Sequence, residues 1–236
     1  DFHALLMMVR PEDTAVLSNA TFNGVYTIAG YAVGGRTAAG AGNDSYYFGI
    51  RRYPYSTDPA KNPLTFRHIA TGQPLPVGPP VNGGGNNAQV HNTGEVWATM
   101  LRECYSSILR DTLGPSPRIT FVEAQTRMRD YLVAGYKLTP ADPTFVEAKH
   151  ALLAGIAAGD QNDYAVCAQA FARRGNGFGA IAPDRYSADN SPVTESFTTG
   201  NDLEFVSATL GDAARSCDAD GVLDAGESAA LTITLR

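Results

Sequence analysis

The apolar positions of this chain fall into distinct regimes. Val96, Trp97, Met100, Leu101, Cys104, Tyr105, Ile108 and Leu109 recur at helical spacing and end at Gly114-Pro115, which predicts a long amphipathic helix. Two more helices are announced by Thr120-x-x-Glu123 and Thr144-x-x-Glu147, each a hydroxyl that can cap a helix start with a glutamate placed to reach back. The shared string Thr-Phe-Val-Glu-Ala at both places diverges afterwards, so these are two similar helix starts rather than a repeat. A fourth helix is expected from about Asp163 to Arg174, stopped by Gly175. Asp1 to Val9 is apolar on nearly every face, as a helix buried in a core would be. Five helices around one core predict a mainly α domain.

Residues 14–90 follow another pattern, rich in Gly, Asn, Pro and aromatics, with short β-like pieces such as Gly24 to Ala32. Val77 to Asn87 reads as turns and exposed loop. Loops of this length in a compact domain generally build a functional surface. After Thr198 the period becomes two: Leu203 to Leu210 and Ala230 to Leu235 are predicted strands with an acidic turn between them. The expected division is a helical domain over 1–182, a polar linker over 183–202 and the start of a β-sandwich module over 203–236. The chain opens on Asp1 without a signal segment, and it closes on a strand pattern without a turn. Both ends are therefore expected to be cuts through larger units.

Composition narrows the classes. With 44% hydrophobic and 18% charged residues the 236-residue chain can bury a real core. A formal net charge of −6 offers no basic face for nucleic acid. The longest apolar run, Ala4 to Val9, is far short of the ~18 residues a membrane span needs, so neither nucleic acid nor membrane is an expected partner. Cys104, Cys167 and Cys217 show no C-x-x-C spacing. Cys104 lies on an apolar stripe, and for it and Cys167 the expectation is a buried small apolar side chain rather than a disulfide.

Several strings carry more specific information: Gly49-Ile50-Arg51-Arg52-Tyr53-Pro54-Tyr55-Ser56-Thr57-Asp58 with Asn62-Pro63-Leu64-Thr65-Phe66; Val90-His91-Asn92-Thr93-Gly94-Glu95-Val96-Trp97-Ala98; Lys137-Leu138-Thr139-Pro140; and Ala170-Phe171-Ala172-Arg173-Arg174-Gly175. In their order and separation they resemble the C-terminal half of the fungalysin family of secreted zinc metallopeptidases, which are thermolysin-like. The likeness covers about residues 1–182. No H-E-x-x-H occurs, so the chain looks like the helical C-terminal subdomain of such an enzyme without its metal-binding half. The Gly-rich loop and the β module look bacterial. The resemblance implies a secreted, extracellular protein, a protein or peptide substrate, and zinc held by ligands upstream of this chain. The missing N-terminal half of the catalytic domain then becomes a partner.

The same resemblance distributes roles. His91, at a loop-to-helix junction that Asn92 or Thr93 can cap, would donate a hydrogen bond to the oxyanion formed as water attacks the peptide carbonyl; a junction-filling histidine is the plainer alternative. Asp1 looks like the last letter of the Gly-Glu-Gly-Trp-Ser-Asp motif, where it would accept a hydrogen bond from a zinc-ligating histidine. Either Arg51 or Arg52 could bind the substrate carbonyl, and Arg52 is chosen; bracing the loop against acidic groups is an equal alternative. Asn86 and Asn87 could orient His91, with Asn86 counted among the substrate-binding residues. Glu95 is read as an acid stabilising the helix dipole. His3, His68 and His150 have no partner at helical zinc spacing and are read as structural or surface residues.

Apart from the resemblance, Asp218-x-Asp220-Gly221-x-x-Asp224-x-x-Glu227 alternates carboxylates around a glycine. That suits a calcium ion, while a solvated acidic hairpin is the competing reading. On this sequence the chain is the C-terminal part of a zinc metalloendopeptidase, inactive alone. Two other classes stay open: a catalytically inactive peptide-binding scaffold, and a structural or adhesive module.

Overall fold

The structure, a computed structural model, describes residues 1–33, 45–76, 86–200, 205–215 and 228–235. It divides into a unit Asp1–Thr199 and a unit Gly200–Arg236. The first contains α1 (Phe2–Met8), α2 (Gly30–Val33), α3 (Ser45–Phe48), α4 (Val90–Arg110), α5 (Phe121–Leu138), α6 (Phe145–Gly159) and α7 (Gln161–Arg173), with 3-10 turns at Pro11–Ala15, Leu17–Asn19 and Phe66–Ile69. The chain is mainly helical, as its periodicity predicts.

The expected stripe on α4 is buried apart from the half-buried Trp97, and the polar side chains beside it, Thr99, Arg102, Glu103, Ser106 and Ser107, are buried as well. A helix buried on so many faces lies at the centre of its unit, with α1, α5 and α7 packed around it. Trp97 packs its ring against Phe145 and Phe171, and Phe2 meets Tyr105 edge to face. The α5–α6 pair closes through glycine: a Cβ on Gly135 would lie 3.0 Å from the backbone of Leu152. At the helix starts, Thr120 accepts from Glu123 N and Thr144 from Glu147 N. Only the second box is reciprocal, because Glu147 returns to Thr144 N whereas Glu123 turns to Arg127.

Three expectations need correction. Cys104 and Cys167 are fully buried, but they form a disulfide joining α4 to α7, with Cα atoms 4.4 Å apart across 63 residues of sequence. Closing a loop of that size is worth about 4 kcal/mol in the chain-entropy picture. Such a pairing leaves no local sequence signal. Secondly, α1 is not buried on all faces: Phe2, Leu5 and Leu6 are inside, while Met7 and Met8 are exposed. Thirdly, the segment expected as a linker from residue 183 belongs to the first unit. Gly177 N donates to Ser196 O at 2.8 Å, Ser196 N to Gly175 O at 2.9 Å, and Ile181 and Thr194 exchange both bonds. Its polar composition suggested a linker, but several of its backbone groups pair with residues 71 and 175–181 of the first unit.

The second unit contains an antiparallel pair, β1 (Phe205–Arg215) and β2 (Ser228–Leu235). The register places Ala208 opposite Ile233 and Leu210 opposite Leu231. Period-2 alternation thus puts these four on one face, as at the start of a β module. Cys217 and the acidic stretch with Asp218, Asp220, Asp224 and Glu227 lie outside the described residues.

Candidate functional site

The Gly49–Asp58 string starts from a tight backbone contact. Gly49 has φ +60°, and a Cβ there would sit 2.1 Å from the carbonyl oxygen of Ile28, so only glycine fits. From this point the chain runs past α1 on one side and α4 on the other, anchored by a reciprocal bridge between Tyr26 and Tyr55.

Arg51 and Arg52 diverge. Arg51 holds the Asp1 carboxylate with both Nε and Nη2, the latter at 2.9 Å, and Tyr55 Oη donates to the same group at 2.5 Å. Tyr55 is fully buried, and burial pushes its phenol up, so it stays a donor. Oδ1 of Asp1 receives one of these bonds among the described residues, which leaves capacity for another donor.

Arg52 is 1% exposed. Its Nε donates to Glu95 Oε2 at 2.7 Å, Nη1 to Asn87 Oδ1 at 2.8 Å and Nη2 to Asn92 O at 2.9 Å. Of the two roles open to it in sequence, this geometry is the bracing one. A guanidinium enclosed on three sides has no face for a substrate carbonyl. Arg51, with 15% of its side chain exposed, is the arginine beside Asp1 that sequence reasoning passed over; two adjacent arginines give no signal of which one turns inward.

Glu95 also differs from its expected role. It is fully buried and accepts from Arg52 and from Tyr53 N at 2.8 Å. Burial pushes its carboxyl upward, against the pull of Arg52 and the Tyr53 N–H. It therefore joins α4 to the Gly49–Asp58 string, whereas a dipole-stabilising acid would face water.

His91 lies within the first turn of α4, one residue inside its start, and its imidazole is exposed. The cap is Gln89, whose side chain accepts from His91 N at 2.7 Å and Asn92 N at 3.2 Å; neither Asn92 nor Thr93 takes that place. Asn92 Nδ2 donates to Asn86 O at 2.9 Å. The Asn86 side chain accepts from Thr71 and from Ala88 N, while Asn87 donates to Ala70 O and Gln73 O. Both asparagines thus order the segment leading into α4. Residues 77–85 of the Gly-rich loop lie outside the described residues.

The other histidines sit elsewhere. His68 is buried, accepts from Thr65 N at 2.8 Å, and is held by burial at a pKa of about 4. His3 is exposed beside Tyr136, and His150 is exposed on α6. Among the described residues, no three His, Cys, Asp or Glu side chains gather as a metal site requires.

A family model for the fungalysin metallopeptidases matches residues 13–180. The chain belongs to the fungalysin metallopeptidase family. It is similar to the extracellular metalloproteinase mep of Aspergillus niger, 31% identical in an alignment 189 positions long that covers 76% of this chain and 24% of that protein. The extracellular metalloproteinase of Neosartorya fischeri is 34% identical over 60% of this chain and 20% of its own length. That of Aspergillus terreus is 30% identical over 61% and 22%. The fungalysin chain described here thus spans roughly a quarter or less of the curated relatives it matches. Among its described residues no helix is long and apolar enough to cross a membrane.

Proposed function

We propose that this chain is the C-terminal part of a secreted zinc metalloendopeptidase, and that it contributes one wall of the substrate cleft. The observation that carries this is the joint placement of Asp1 and His91: adjacent arginines of one string hold the Asp1 carboxylate on one side and the first turn of α4 on the other. Zinc, with ligands expected in the upstream half, would polarise the scissile carbonyl and supply an activated water. His91, exposed at the helix start, donates to the oxyanion that develops on that carbonyl. Asp1 offers its remaining acceptor capacity to a ligand histidine of the upstream half, fixing the tautomer of that ring. Arg51 takes the place assigned to Arg52 in sequence, because it alone of the pair combines exposure with contact to Asp1. The upstream half itself is the partner that covers the exposed Met7 and Met8 of α1. Asn86 acts indirectly, through the segment that leads to His91.

Substituting His91→Ala in the full-length enzyme tests the reading. The expected result is a loss of roughly 100- to 1000-fold in kcat with folding intact, the effect of removing one oxyanion donor. An unchanged kcat would remove His91 from the catalytic machinery, and a full-length protein that turns over no peptide would leave the inactive-scaffold reading in its place. This chain alone should not hydrolyse casein in the presence of zinc. The calcium reading of Asp218, Asp220, Asp224 and Glu227 is tested by titrating the chain with calcium in a calorimeter, where no heat of binding at millimolar calcium would remove it.

A further inference from the structure

We propose that Arg52, acting with Glu95 and Asn87, is a positioning residue for His91. This rests on the oxyanion role given to His91 above. A guanidinium is a rigid planar fork, so partners on its three nitrogens determine orientation as well as distance. Here the three partners are the Glu95 carboxylate, the Asn92 carbonyl and the Asn87 side chain. Asn92 directly follows His91, and Glu95 lies one helical turn beyond it. The second carboxylate oxygen of Glu95 is held by Tyr53 N at 2.8 Å. Asn87 is in turn tied to Ala70 O and Gln73 O.

The first turn of α4 is therefore fixed in translation and rotation against the string that presents Arg51. Against well-packed apolar residues, a buried ion pair gives little net stability, and its best-attested contribution is specific geometry. Arg52 touches no reacting group in this arrangement and acts through the helix that carries the imidazole.

A double-mutant cycle in the full-length peptidase tests this, with Arg52→Met, His91→Ala and the pair. Arg52→Met is expected to lower kcat by about 100-fold while KM changes little, as for a displacement of about an ångström at a reacting group. In the His91→Ala background it should have no further effect beyond about twofold. Losses that multiply would show that Arg52 acts elsewhere and overturn the proposal, as would a folded Arg52→Met enzyme with unchanged kcat.

Hydrogen exchange on the present chain gives a readout independent of activity. Arg52→Met should speed exchange at the amides of residues 92–95 by at least about tenfold and leave those of residues 104–109 unchanged. Equal rates at 92–95 would overturn the positioning role even if His91→Ala had abolished turnover. Conversely, faster exchange there together with an inert His91→Ala would sink the oxyanion reading and leave the mechanical one. If Arg52→Met does not fold, Asn87→Ala, which removes one acceptor, is carried through the same two measurements and decides on the same outcomes.

Discussion

Between Gly49 and Ile69 the chain has one 3-10 turn and one bridge, yet Tyr55, Leu64, Phe66 and Ile69 are as deeply buried as Met100 and Ile108 of α4. The two regions reach that burial differently. In α4 the helix pairs its own backbone, and apolar side chains fill the space around it. In the irregular region each buried carbonyl needs an outside partner, and arginine supplies many of them. Arg174 alone donates to Ser56 O, Asn62 O and Leu64 O and also holds Glu103. Arg102 donates to Phe22 O and lies over the Tyr26 ring. Cations at fixed points thus take over the work that a backbone ladder performs in a helix.

On that contrast, removing an arginine that braces the irregular region from the end of α7 should cost more than removing the covalent tie of the helical one. Arg174→Met is expected to destabilise the chain by about 3–5 kcal/mol, since it strands a buried carboxylate and several carbonyls. Urea unfolding measures it, and a loss under about 1 kcal/mol would break the comparison. Next comes the covalent tie of the helical region: replacing Cys104 and Cys167 by serine should cost roughly 2–4 kcal/mol. A larger loss than for Arg174→Met would reverse the ranking.

The irregular region should also be the acid-sensitive one. The pKa of His68 is depressed from 6.5 to about 4 by burial. Between those values the unfolded chain binds a proton that the folded one does not, so stability is intact above 6.5 and falls as pH drops through the window. Urea midpoints between pH 7 and 4 should decline, and less so in His68→Asn. Smallest are the caps. Thr144→Ala should cost about 1 kcal/mol, and Thr120→Ala less, because only the first breaks a reciprocal box. Equal thermal shifts would show that the returning glutamate adds nothing.

The same contrast explains what was legible in the sequence. The five longer helices were, since period 3.6 and the threonine caps are local signals, and the hairpin was, through period 2; the short α2 and α3 were not. His91 stood out by the string around it. Its cap did not, because glutamine is a poor N-cap by preference while Asn92 and Thr93 are good ones. Which arginine faces Asp1 was not legible either: side-chain direction in an irregular segment depends on backbone turns with no fixed period. The disulfide and the docking of residues 187–199 depend on contacts far apart in sequence, and polar composition concealed the second.

The divergence of Arg51 and Arg52 has a consequence for how this string can change in length. One residue inserted or deleted between Gly49 and Arg52 would draw both guanidiniums away from Asp1 and Glu95 at once, leaving the buried Glu95 carboxylate without its cation. Substitutions at neighbouring positions can be absorbed one at a time; a shift of frame along the backbone cannot. In a library of length variants this stretch should admit almost no insertions or deletions, although it is irregular in structure and loops of that kind are ordinarily the places that tolerate them.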